Sequence, residues 1–95
     1  MNYLSDLGFS NEVINIIEEN FSRGSLEALK EEKDNVLQNV NYLRELGISN
    51  YIDAFIKFYN MFMLDNQTFE KIFSKYDKDD LVAKLEKNIA IMEYL

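Results

Sequence analysis

Carboxylates are the most abundant chemically capable side chains in this sequence, and they occur adjacent at Glu18-Glu19, Glu31-Glu32 and Asp79-Asp80. Two carboxylates can share a proton or hold a cation only if both converge on one point. Successive helical residues point about 100° apart, so neighbours of this kind diverge. The pairs read as solvated faces and helix caps. Asp77 and Asp79 have the spacing that opens an EF-hand loop, but its sixth position is Val82 rather than Gly and its twelfth is Asn88 rather than Glu. The chain has no His and no Cys. It therefore lacks the commonest general base, the commonest metal ligand and any disulfide. No Ser has a His to activate it, and no Ser-Lys signature is present. Gly8, Gly24 and Gly47 stand apart, so no Gly-rich phosphate cradle exists. The expectation is a non-enzymatic protein with no catalytic residues, no cofactor and no metal.

What remains is binding. Phe and Tyr make up 14% of the chain, and they concentrate between Tyr51 and Tyr76. Two readings are open. Phe55, Phe58, Tyr59, Phe62, Met63, Phe69 and Phe73 could line a groove for a partner helix, with methionine supplying adaptability. Alternatively they are the core of a small domain that has no Trp to supply bulk.

The stretch Tyr42-Leu43-Arg44-Glu45-Leu46-Gly47-Ile48-Ser49-Asn50 positions these residues. It echoes Tyr3-Leu4-Ser5-Asp6-Leu7-Gly8-Phe9-Ser10-Asn11, 39 residues earlier, with six of nine positions identical. Leu-Gly at the end of an apolar-periodic run reads as a helix C-terminus, with Gly in the left-handed region. Ser-Asn soon afterwards reads as the N-cap of the next helix. Leu7, Gly8 and Ser10, and again Leu46, Gly47 and Ser49, are thus structural corners: Leu anchors in the core, Gly turns the chain, and Ser49 or Asn50 starts the aromatic helix.

With no Pro and only three Gly, the periodicity predicts an all-α, compact helical repeat of five or six helices with about two such corners. The elements are a stub from about Asn2 to Leu7, then a helix from Asn11 to Phe21 capped by Ser10. A corner follows at Ser22 to Ser25. Leu26 to Leu46 forms either one helix or two, the second capped by Asp34. An aromatic helix runs from Asn50 to Leu64 and a short helix to about Tyr76. A last helix, capped by Asp77, runs to the terminus. Residues 1–41 form a partial repeat, 42–78 a second and 79–95 a terminal helix of one 95-residue domain.

Asn39 to Ser49, and more weakly Tyr3 to Ser10, resemble the helical repeats of the mitochondrial transcription termination factor (mTERF) family. That resemblance implies paired helices around each Leu-Gly corner, with Ser25 to Lys30 and Thr68 to Tyr76 as short third elements. It also implies a nucleic-acid-associated regulator. Two departures stand against the activity: the family's Pro near the end of the second helix is missing, and the basic surface is replaced by a net charge of −7. Phosphate backbones repel such a chain.

The acidic balance favours a protein partner, either a different protein or a second copy of this chain. A second copy would dock through the stub and the face of Lys84–Leu95, because repeat ends leave an apolar face uncovered. An acidic mimic of DNA is a further reading. The most apolar stretch, Tyr51 to Leu64, contains Asp53 and Lys57 and is shorter than the roughly 20 residues a membrane span needs. A cytoplasmic protein is expected, with no membrane partner, and the Asn-, Lys- and Ile-rich composition fits a bacterial source.

Overall fold

Both corners turn through a glycine in the left-handed region, Gly8 at φ +89° and Gly47 at φ +92°. In the computed structural model, which describes Tyr3 to Leu95, the helices are α1 (Tyr3–Asp6), α2 (Asn11–Asn20), α3 (Arg23–Glu31), α4 (Lys33–Leu46), α5 (Tyr51–Phe58), α6 (Asn66–Ser74) and α7 (Lys78–Lys87). Two 3-10 segments, Met61–Met63 and Ile89–Tyr94, complete the chain. No strand occurs among the described residues. Asn2, expected to open the stub, lies outside them.

The corners share one hydrogen-bond pattern. Gly8 N–H donates to Ser5 O at 3.2 Å and Phe9 N–H to Leu4 O at 3.2 Å; Gly47 N–H donates to Arg44 O and Ile48 N–H to Leu43 O, both at 3.1 Å. This is the Schellman arrangement, which satisfies the last carbonyls of a helix and brings an apolar residue beyond the turn onto one a turn before it. The apolar pairs are Leu4 with Phe9 and Leu43 with Ile48, all buried. Leu7 is buried as expected, whereas Leu46 is only half-buried. The Schellman contact uses the residues flanking Leu46, so Leu43 and Ile48 are the true anchors of the second corner.

The caps divide. Ser10 accepts from Val13 N–H and Asp77 from Asp80 N–H, as their positions imply. Ser22 caps α3, so the expected corner at Ser22 to Ser25 is instead a cap and first helical turn. Leu26 to Leu46 is two helices meeting at Glu32 (φ −95°, ψ 24°). Asp34 lies inside the first turn of α4 and is not its cap. Glu32 N–H donates to Ala28 O and Val36 N–H to Glu32 O, so hydrogen bonding continues through the joint and no loop is needed.

The aromatic helix stops early, at Phe58. Asn39 of α4, fully buried, donates through Nδ2 to Phe62 O at 2.9 Å and Leu64 O at 2.8 Å. Its Oδ1 accepts from Asn66 Nδ2 at 3.1 Å. Helix continuation would have used those two carbonyls for residues 66 and 68. Instead Asp65 takes Thr68 N–H and starts α6. The last helix also ends sooner than expected. Asn88 (φ −152°, ψ 97°) breaks it and accepts from Ala90 N–H, a local side-chain bond that competes with helix. Residues 89–94 then pack on α5 and α7, burying Ile89 and Met92.

Phe9, Phe55, Phe62, Phe69 and Phe73 run through the interior as successive ring contacts, with centroids 5.3, 5.4, 5.2 and 4.8 Å apart. Each such pair adds about 1 kcal/mol beyond the area it buries. The ladder links the first corner to α6.

Two predictions concern these anchors. An added Cβ at Gly8 would sit 2.6 Å from Tyr51 Oη, whereas one at Gly47 meets nothing within 4 Å. Gly47→Ala should cost about 1 kcal/mol, from backbone strain alone. Gly8→Ala should cost roughly 2 kcal/mol, because it also displaces the hydroxyl that donates to Leu7 O at 2.9 Å. In a Tyr51→Phe background the two should converge, read from urea unfolding. Asn39→Leu, which strands two carbonyls, should cost roughly 3 kcal/mol in the same assay. A loss under 1 kcal/mol would show that Asn39 does not hold the turn.

Candidate interaction groove

The corner residues are spent on structure. Ser10 caps α2. Ser49 does not cap α5; its N–H and its Oγ–H both donate to the Glu86 carboxylate, each at 2.6 Å. Asn50 precedes α5 with no side-chain cap bond, and its Nδ2 donates to Leu85 O at 3.0 Å. The reason is tertiary. The end of α7 lies over the second corner, and a carboxylate accepting two hydrogen bonds is a stronger partner than a helix N-terminus. Those Ser49 bonds, side chain first and backbone second, hold the Glu86 carboxyl below its ordinary pKa. Glu86 is thus a fixed acceptor and a poor base.

The aromatic groove does not exist as a groove. Phe55, Phe62, Phe69 and Phe73 are buried in the ring ladder and offer no surface to a partner. Bulk needed at the centre of a Trp-free core draws these rings inward. Phe58, Tyr59 and Met63 are half-buried at the rim of the same core. Tyr59 stacks on Phe21 at 4.5 Å and shares a 2.8 Å hydrogen bond with Ser25 Oγ.

The association surface expected at the chain ends is likewise occupied within the molecule. Leu4 and Leu7 from the stub, and Leu85, Ile89 and Met92 from the last segment, are all core residues. Among the final large hydrophobic side chains, Tyr94 stands well out, 81% exposed.

A concave surface lies elsewhere, between α4 and α6. Two adjoining depressions of about 340 and 300 Å³ share Tyr42 and Glu70. The first adds Gln67, Lys71 and Ser74; the second adds Gln38, Asn41, Glu45 and Asn66. Each helix contributes along one face: residues 38, 41, 42 and 45 recur at helical spacing on α4, as do 66, 67, 70, 71 and 74 on α6. Asn39, one residue along from Gln38, points inward and fixes Asn66 on the facing helix. The groove is therefore pinned by the buried Asn39, which holds the half-buried Asn66 of its lining.

Tyr42 forms the floor. Its ring packs edge-on against Phe69 at 6.1 Å and tilts against Phe73 at 6.0 Å. Burial first, and the Glu70 carboxylate second, push its hydroxyl above its ordinary pKa, so it remains a neutral donor. Tyr3, its counterpart in the first copy of the motif, is raised to about 12 by burial and donates to Leu29 O of α3 at 2.8 Å. Each tyrosine therefore packs the helix before a corner against a later helix, Tyr3 on α3 and Tyr42 on α6.

Sequence reasoning took the interhelical rings and missed the polar stripe beside them. The signal was the helical recurrence of Gln38, Asn41 and Glu45 opposite that of Gln67, Glu70 and Ser74. Nothing local says that those two stripes face each other. Among the described residues, no group of three or more His, Cys, Asp or Glu is placed to hold a metal, and no helix is long and apolar enough to cross a membrane. No family model, curated protein or solved structure matches the chain.

The Glu86 contact has a pH signature. A carboxyl with a lowered folded-state pKa stabilises the fold above its unfolded pKa, and that contribution is lost as pH falls through the folded value. Glu86→Gln should therefore lower the urea midpoint at pH 7, with a smaller gap to the parent at about pH 3, below the ordinary glutamate range. A gap that is the same at both pH values would mean that the carboxylate charge plays no part.

Proposed function

We propose that this protein is a non-enzymatic interaction module that receives part of a protein partner in the α4–α6 groove. The observation that carries the reading is the groove itself. It is concave, anchored by the buried Asn39 through Asn66, and lined by side chains suited to recognition: amides, carboxylates and a tyrosine. Its Ser74 Oγ donates back to Lys71 O and not to a base, so the lining assembles no activated nucleophile. The packing of the chain's own ends into the core favours a different protein over a second copy as the partner.

One structural feature favours a second reading, a nucleic-acid-associated regulator of mTERF type. The order helix, Schellman corner, helix, helix occurs twice, as α1–α2–α3 and α4–α5–α6. This supports the repeat resemblance. The net charge of −7 opposes the activity. Duplex DNA or RNA bound at low salt, with affinity falling steeply as salt rises, would favour it.

Photo-crosslinking in cells tests the first reading. A benzophenone amino acid at Gln67 should give a discrete protein adduct, whereas the same residue at exposed Glu27 on α3 should not. Equal yields from both positions, or none from either, would contradict it.

A further inference from the structure

We infer that the α4–α6 groove takes an arginine side chain from a basic segment of the partner. This deepens the interaction-module reading and rests on it.

The comparison of the two motif copies is the first support. In the first copy, α2 and α3 are separated by Phe21 and Ser22 alone, and the Tyr3 hydroxyl reaches Leu29 O. In the second copy, the residues from Tyr59 to Asp65 intervene between α5 and α6 and hold the 3-10 segment. The longer connection seats α6 differently against α4, and the Tyr42 hydroxyl is left without a hydrogen bond from any described residue. The other tyrosines that are not exposed all have one: Tyr3 to Leu29 O, Tyr51 to Leu7 O and Tyr59 with Ser25. The insertion opens a recess at the position that the first copy closes.

The lining supplies the second support. Glu45 and Glu70 make no ion pair with any described residue, and Lys71 is the only base in the two depressions. Gln38 and Gln67 add amide carbonyls, while Asn41 Oδ1 accepts from Arg44 Nη1 at 3.5 Å. A guanidinium offers N–H donors in a planar fork and stacks on aromatic rings. It can meet the two carboxylates at its edge and the tyrosine on its face. An ammonium lacks the fork and sheds its water less readily. A phosphate would be repelled by both carboxylates. The net charge of −7 adds long-range attraction for a basic segment.

Isotope-labelled full-length protein, titrated with the blocked tripeptide acetyl-Gly-Arg-Gly-amide and followed by NMR, tests the inference. Saturable shifts are expected at Tyr42, Gln67, Glu70 and Lys71. Replacing arginine by neutral, isosteric citrulline should weaken binding at least about fivefold, and Glu45→Gln or Glu70→Gln should each weaken it by about fivefold. Tyr42→Phe should weaken it about threefold while keeping the ring packing. Glu31→Gln, at an exposed site on α3, should change nothing. Shifts spread equally over Glu18 and Glu31, binding that ignores the citrulline change, or binding indifferent to both groove carboxylates would overturn the inference. Absence of groove shifts, with the Gln67 adduct retained, overturns the guanidinium assignment and leaves the interaction reading standing.

Discussion

Everything in this fold is aimed by two glycines held at positive φ. A helix that ends on a left-handed residue sends the chain off at a set angle, with its last carbonyls satisfied and an apolar residue folded back beneath it. At Gly8 and Gly47 the same turn is made with the same hydrogen bonds. The first directs α2 and delivers Phe9 to the ring ladder; the second directs α5 and delivers Ile48 to the core. The turns also touch. Tyr51, the first residue of α5, donates to Leu7 O and covers Gly8. A change at one corner is therefore felt at the other, across 44 residues of sequence.

Apolar burial gives this arrangement its driving force, but directional polar contacts decide where the helices stop. Asn39 keeps the chain from resuming a helix after the 3-10 segment by taking the carbonyls of Phe62 and Leu64. Glu86 and Leu85 O tie α7 to the second corner through Ser49 and Asn50. Asn88 breaks α7 so that the final residues can pack on α5. A buried amide with all its bonds made is worth keeping only where it fixes geometry, since removing it leaves its partners unsatisfied. Asn39 fixes the floor of the α4–α6 groove, which links the mechanics of the fold to its recognition surface.

The legible part of this structure was the part written in local chemistry. Leu-Gly at the end of an apolar run identified both corners. Ser10 and Asp77 identified two caps, and the concentration of rings between Tyr51 and Tyr76 marked Phe55, Phe62, Phe69 and Phe73 as either core or groove. The illegible part was tertiary. Ser49 looks like Ser10, but α7 supplies a carboxylate that no feature near Ser49 foretells. The aromatic stripe continues past Phe58 without a breaker, yet Phe62 N–H turns to Tyr59 O, and a buried asparagine more than twenty residues upstream takes the carbonyls of Phe62 and Leu64. The groove was hidden for the same reason: each helix displays its polar face openly, but their opposition is set by packing.

Amide hydrogen exchange at the corners tests the central claim most directly, because their hydrogen bonds should break only when the molecule unfolds. Phe9 and Ile48 N–H, the bonds that close the two turns, should exchange with the same free energy of opening as Val40 in the core of α4, and that value should match global unfolding. If either corner instead exchanges by a separate, lower-energy opening while Val40 stays protected, the corners are local turns resting on a fold that stands without them.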